Sequence, residues 1–210
     1  MDGRLKRSTI SGILWSSLQK FGIMFLSFIA NIILARLLTP YDFGCIGMLS
    51  IFMMVATSLI DGGLGAAIIQ KKNPSQEDYS TVFYLNIILS IIMYALVYVC
   101  APFISEFYHI PELRNVLRVL GCVLIINAIS AIQVSRFRKL LEFRKLSIIY
   151  LLSILISSIC SIIAAFLGYG VWSLVILQIV NSVISTILLC IYGRWSPSFV
   201  FAKNSVKQLF

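Results

Sequence analysis

The feature that most constrains this chain is a row of six apolar blocks, over residues 13–34, 43–69, 81–103, 116–134, 146–167 and 171–192. An α-helix needs about 20 mostly apolar residues to cross a hydrocarbon core of roughly 30 Å, and each block is near that length. In lipid, every backbone polar group must be satisfied internally, so helices are the solution open to blocks this long. The expected fold is all-α and integral to the membrane, a six-transmembrane-helix bundle. Composition agrees. Charged residues make up 12% of the chain and hydrophobic residues 60%, whereas a soluble domain carries about a quarter charged. The first block is too long for the apolar region of a signal peptide, contains Lys20 and lacks a small-x-small cleavage site, so it reads as a retained helix.

The net charge of +9 does not point to nucleic acid, because the basic residues sit in the short stretches between blocks. There they act as orientation signals. Thirteen Lys and Arg fall on one side: Arg4, Lys6 and Arg7; Lys71 and Lys72; Arg136, Arg138, Lys139, Arg144 and Lys145; Arg194, Lys203 and Lys207. Arg36, Arg114 and Arg118 fall on the other. The excess of positive charge places both termini in the cytoplasm.

Short connections predict that consecutive helices are antiparallel neighbours. The exterior stretch 105–115 reads as a turn with a short interfacial helix. The stretch 136–145 mixes basic and apolar residues, which suits either a surface helix at anionic headgroups or a positive-inside anchor. Cys45, Cys100, Cys122, Cys160 and Cys190 are scattered without metal-ligand spacing and read as packing residues.

The blocks also carry polar stripes. Ser16, Lys20, Ser27 and Asn31 lie within about 60° of one another at 100° per residue, and Ser50, Thr57 and Asp61 within about 40°. Asn86 with Ser90, Asn127 with Ser130, and Gln178 with Ser182 and Ser185 continue the pattern. Ser153, Ser157 and Ser161 are read as helix-packing residues. The amides Asn31, Asn86, Asn127, Gln178 and Asn181 suit either packing or the lining of a hydrated cavity. A charge inside a span faces a cavity or a partner. Lys20 and Asp61 are each expected about 10–12 Å from the cytoplasmic boundary, where they pair or share a vestibule. The alternatives are snorkelling for Lys20 and capping of loosened backbone before Gly62-Gly63 for Asp61. No catalytic constellation, metal-ligand set or phosphate-binding loop is found. The chain is therefore expected to be no enzyme and to need no cofactor.

Several runs resemble one family. They are Gly12-Ile13-Leu14-Trp15-Ser16, Leu34-Ala35-Arg36-Leu37-Leu38-Thr39-Pro40, Asp42-Phe43-Gly44, Asp61-Gly62-Gly63-Leu64-Gly65-Ala66-Ala67-Ile68-Ile69-Gln70 and Gly168-Tyr169-Gly170-Val171-Trp172-Ser173-Leu174-Val175. Their order and spacing are similar to those of bacterial polysaccharide and O-antigen flippases of the multidrug/oligosaccharidyl-lipid/polysaccharide exporter superfamily. The same runs have architectural readings: Pro40 breaks a helix, Thr39 or Asp42 caps, and Gly168-Tyr169-Gly170 turns tightly before an interfacial Trp172.

The resemblance implies two six-helix lobes facing each other in a V. Residues 1–195 would be the first lobe, and 196–210 a cytoplasmic tail or the start of a second. It implies translocation of an undecaprenyl-pyrophosphate-linked oligosaccharide across the bacterial inner membrane by alternating access. Membrane lipids and a second lobe or homodimer partner would be needed, and no nucleic acid. Lys20, Asn31, Arg36, Asp61, Arg118 and Gln178 are the substrate-path candidates, with Lys20 expected on the pyrophosphate and Arg36 and Arg118 near the exit. Two other functions remain open: a cation-coupled drug exporter of the same superfamily, which would favour acidic residues in the spans, and a non-transporting scaffold or inactive fragment.

Overall fold

The computed structural model describes residues 2–61 and 75–193, with side chains over 15–60 and 75–193. Among the described residues the secondary structure is helical. The helices are α1 (Asp2–Leu37), α2 (Pro40–Asp61), α3 (Gln76–Phe107), α4 (Glu112–Lys139), α5 (Phe143–Phe166) and α6 (Val171–Gly193). All six are long and apolar enough to cross a membrane. At 1.5 Å per residue α1 is about 54 Å long, so it outruns the hydrocarbon core.

The helix ends follow from local chemistry. Before α2, the Thr39 N–H and hydroxyl both donate to Asp42 Oδ2, at 2.8 and 2.7 Å. The Asp42 N–H faces Thr39 Oγ1 at 3.4 Å. This reciprocal box satisfies donors that a helix start leaves free. Ser75 and Asp78 form the same box before α3. Gly168 and Gly170 adopt φ of 82° and 53° between α5 and α6, a conformation that glycine reaches without a Cβ clash.

Two helical hairpins, α3–α4 and α5–α6, pack tightly, and α4 also packs on α6 and α1 on α5. The bundle therefore runs α3, α4, α6, α5, α1, with α2 lying more loosely across α3, α4 and α6. α4 is the most buried helix and α1 the least. The largest apolar core joins Cys45, Leu49 and Ala56 of α2, Val97 of α3, Leu117 and Leu120 of α4 and Val175 of α6.

Small hydroxyls tie the helices together. Ser147 donates to the Trp15 carbonyl of α1 at 3.0 Å, Ser161 to the Ser173 carbonyl of α6 at 2.7 Å, and Thr186 to the Ile126 carbonyl of α4 at 3.2 Å. Ser153 and Ser157 bond back to carbonyls of their own helix and are fully buried. A small side chain lets helix backbones approach closely in lipid.

Three expectations need correction. Consecutive helices are not all neighbours: α1 and α2 meet near their joint, where Leu34 and Leu38 cluster with Phe43 and Ile46, and diverge from it. α1 is drawn to α5, where Gly22 lies against Leu151, while the apolar face of α2 is drawn to α3 and α4. The stretch 105–115 holds no interfacial helix. α3 runs through Phe107, a turn carries His109 at φ 56°, and α4 starts at Glu112. Ser105 closes that turn by donating to the Ile110 carbonyl at 2.8 Å. Likewise 136–145 is no separate surface helix. α4 reaches Lys139, Leu141 turns at φ 56°, and α5 begins at Phe143. Residues 62–74, which include the end of the second apolar block and its glycines, and the tail after Gly193 lie outside the described residues.

Candidate functional site

The divergence of α1 from α2 opens a cleft, and helical register decides what faces it. On α1, Leu34 and Leu38 cluster with Phe43 and Ile46 of α2, Leu174 and Leu177 of α6 and Ile162 and Ala165 of α5. Ser16, Lys20, Ser27 and Asn31 lie within about 60° of those two leucines. On α2, Phe43 and Ile46 mark the side turned toward α1, and Ser50, Thr57 and Asp61 lie within about 60° of them. By register, the two polar stripes continue the sides of α1 and α2 that meet at the joint. Lys20, Asn31 and Ser50 are exposed, and Thr57 is half-buried. The Asp61 side chain is outside the described residues, so its place rests on backbone register alone.

α6 floors the cleft. Leu174 packs with the α1–α2 joint, and Gln178, Asn181 and Ser185 lie within about 40° of it along the helix. Gln178 and Asn181 are half-buried and Ser185 is buried. Asn31 is six residues before the end of α1 and Gln178 seven after the start of α6, so both sit about 10 Å below the joint. Lys20 and Thr57 share a deeper level, about 25 Å below it. On α4, Asn127 lies on the same side as Val116 and Leu120, which pack toward α2, yet Asn127 is exposed. α2 has drawn away from α4 at that depth.

The apex of the cleft is built from two of the motif runs. Asp42 is buried, and its second oxygen, Oδ1, lies where a Cβ on Gly170 would come within 3.1 Å of it. The Thr39–Asp42 cap at the start of α2 is therefore seated on the Gly168-Tyr169-Gly170 turn at the start of α6. The close contact and the φ of 53° together favour a bare glycine there.

By helical register, Lys20 and Asn31 fall on the side of α1, Gln178 on the side of α6 and Asp61 on the side of α2 that meet at the joint. Arg36 and Arg118 lie elsewhere. Arg36 is exposed and about 160° from Leu38 around α1, on the lipid side. Arg118 lies on the face of α4 turned away from α2, its guanidinium 4.1 Å from the centre of the Tyr98 ring. Asn86 is buried on the face of α3 that carries Met93 and Val97, with Oδ1 lacking a hydrogen-bond partner. Asn127, Asn181 and Thr57 join the cleft. They were visible in the sequence as polar residues in apolar blocks, but their register against the packed faces was not. Chemically, the cleft offers one ammonium, several amides and hydroxyls, and exposed apolar rims. That suits a ligand with an anionic, hydroxyl-rich part and an apolar part.

A family model described as polysaccharide biosynthesis protein matches residues 33–210. Among curated proteins, the chain is 26% identical over 195 residues to the succinoglycan biosynthesis transport protein ExoT of Rhizobium meliloti, covering 93% of this chain and 40% of the relative. It is 26% identical over 204 residues to the lipopolysaccharide biosynthesis protein WzxC of Escherichia coli, covering 96% and 42%. It is 29% identical over 208 residues to the teichuronic acid biosynthesis protein TuaB of Bacillus subtilis, covering 98% and 43%. The chain spans about two fifths of the length of these relatives. No solved structure matches it.

Proposed function

The chain belongs to the polysaccharide biosynthesis protein family, and from that premise we propose that it forms the N-terminal lobe of a flippase. The lobe moves an undecaprenyl-pyrophosphate-linked oligosaccharide from the cytoplasmic to the periplasmic leaflet of the bacterial inner membrane. It does so by alternating access and without making or breaking a covalent bond. Residues 1–195 are the lobe, 196–210 lead out of it, and both termini are cytoplasmic. A second six-helix lobe, or a second copy of this one, closes the other wall of the path.

The observation that carries this reading is the pair of polar stripes that continue the joined sides of α1 and α2, over an amide-lined floor. In lipid, an unpacked face has no use for Lys20, Asn31 and Gln178. Against a sugar, each amide and hydroxyl supplies hydrogen bonds in place of water. Lys20, about 25 Å below the joint, meets the pyrophosphate as the substrate enters from the cytoplasmic side. Asp61 lies about one helical turn further out on α2 and tempers that charge. The polyprenyl chain stays in the bilayer beside the apolar rims. Rocking of two lobes about the joint then exposes the cleft to one side and the other in turn. ExoT is named as a transport protein and WzxC and TuaB by the polysaccharides whose synthesis they serve. These names support a sugar-polymer pathway over a drug.

The test is reconstitution into liposomes with a short lipid-linked oligosaccharide in the outer leaflet, with and without a complementary six-helix lobe. Translocation is read as protection of the sugar from an impermeant glycosidase. Protection with both lobes and none with either alone supports the reading. Failure in both arrangements, with the protein folded and inserted, returns the chain to the scaffold reading.

A further inference from the structure

A second polar site lies on the opposite side of the bundle from the cleft. Arg118 stands six residues into α4, about 9 Å below its start and inside the span. It faces outward between α3 and α4. Its guanidinium carbon lies 4.1 Å from the centre of the ring of Tyr98, which is exposed, and Tyr94 packs beside Tyr98 with ring centres 6.0 Å apart. Gly121 makes this possible, because a Cβ there would come within 2.8 Å of Tyr94. The Arg118 Nε is buried and has no hydrogen-bond partner.

One helical turn above, toward the α3–α4 turn, the same two helix faces open into a polar pocket of about 600 Å³. Arg114 and Asn115 line it from α4, and Glu106, Ser105 and His109 from α3 and the turn. Arg114 precedes Arg118 by four residues, so both point to one side of α4. Below the site the outward face is apolar: Ile91 and Ile129 are exposed there.

We propose that this pocket is a binding site for the headgroup of an anionic glycerophospholipid in the leaflet at the α3–α4 turn. An isolated guanidinium inside a span, on a lipid-facing surface, needs an anion or water. Tyr98 holds the guanidinium by cation–π attraction, and its N–H groups can bond a phosphate. The phosphodiester sits between Arg118 and Arg114. Glu106 and Asn115, at the rim, accept and donate hydrogen bonds to hydroxyls of a glycerol headgroup. The acyl chains run down past Tyr94 and Ile129 into the bilayer. The pocket itself carries Arg114 and Glu106, and Arg118, one helical turn below it on the same side of α4, adds the second cation that a phosphodiester needs. The same phosphate chemistry could be met by a soluble phosphate, but the apolar surface directly below the arginines is of use to a molecule with chains.

The test is native mass spectrometry of the purified full chain in detergent with phosphatidylglycerol as probe and phosphatidylcholine as comparison. The wild type is expected to retain one phosphatidylglycerol preferentially. Arg118→Gln should lower that retention about tenfold, as loss of a charge-assisted phosphate contact does. Arg114→Gln should lower it less, and Arg36→Gln on the lipid side of α1 not at all. Glycerol phosphate in large excess should not displace the lipid. Retention equal in wild type, R118Q and R114Q overturns the site, and displacement by glycerol phosphate overturns its assignment to a lipid. If R118Q does not elute as a single species, Arg118→Lys, which keeps the charge and loses the guanidinium fork, serves with R114Q to decide.

Discussion

The Asp42 carboxylate is wedged between two helix starts. Oδ2 takes the Thr39 N–H and hydroxyl at the head of α2, and Oδ1 lies against Gly170 at the head of α6. One side chain thereby ties the joint from which α1 and α2 diverge to the turn that begins the floor of the cleft. A carboxylate near helix N-termini is also favourably placed for their dipoles.

Gly170→Ala is expected to be the most damaging glycine substitution in this turn. It meets a left-handed φ of 53° and a Cβ contact of 3.1 Å with Asp42, which together should cost about 2 kcal/mol. Gly168→Ala has φ 82° and open space around it, so strain alone applies and the cost should be about 1 kcal/mol. Asp42→Ala should cost about 1–2 kcal/mol through the lost cap. In the double variant D42A/G170A the two should not add, since the clash is with the removed carboxylate. Thermal unfolding in detergent measures all four. A G168A variant less stable than G170A would contradict the contact.

Serines on α5 should separate by what they bond. Ser161→Ala removes a bond to another helix and should cost about 1 kcal/mol. Ser153→Ala removes a bond within its own helix and should change stability by less than about 0.5 kcal/mol. The same unfolding assay checks this. Equal losses would mean that packing volume, not the interhelical bond, is what counts.

Orientation has a direct consequence for α4. In a cysteine-free background, Lys139→Cys should react with an impermeant thiol reagent from the cytoplasmic side alone. Glu112→Cys, at the other end of the helix, should react from the periplasmic side alone. Reversed labelling would invert the direction of transport inferred for the cleft.

Lys20 and Arg36, both cations of α1, should behave differently. Lys20→Ala should lower lipid-linked sugar transport at least about tenfold, as loss of a charge-assisted contact does. Lys20→Arg should recover part of it, and Arg36→Ala should have little effect. Transport assays on membranes with matched protein levels check this. A deficit in R36A as large as that in K20A would mean that the lipid side of α1 also serves the substrate.

The spans were legible because apolar length is a one-dimensional signal. So were the Thr39–Asp42 cap and the Gly168–Gly170 turn, whose residue types carry their own geometry. The stripes on α1 and α2 could be drawn from the sequence, but not the fact that they continue the sides that meet at the joint. Helices in lipid gain no hydrophobic energy by meeting, so hydropathy does not say which faces join. Leu34 packs while Phe28 and Phe25, equally apolar, lie exposed. Arg118 shows the same limit. The family resemblance named it as a candidate near the exit, yet its place beside Tyr98 and Tyr94 depends on Gly121 letting α3 and α4 approach, a contact that spans 27 residues between Tyr94 and Gly121. Of the two readings open for 136–145, the surface helix does not form, because Leu141 takes a left-handed turn that a leucine seldom adopts.

The central claim is that the gap between α1 and α2 is a wet path for a lipid-linked sugar. It is tested most directly by single cysteines at Asn31→Cys and Gln178→Cys, about 10 Å below the joint, compared with Phe25→Cys and Ile187→Cys on exposed lipid-side faces of the same two helices. In proteoliposomes, a small charged thiol reagent should modify the first pair and not the second. Added lipid-linked oligosaccharide should protect the first pair. Inert cysteines at both Asn31 and Gln178, or modification that the lipid-linked sugar leaves unchanged, would contradict the cleft as the substrate path.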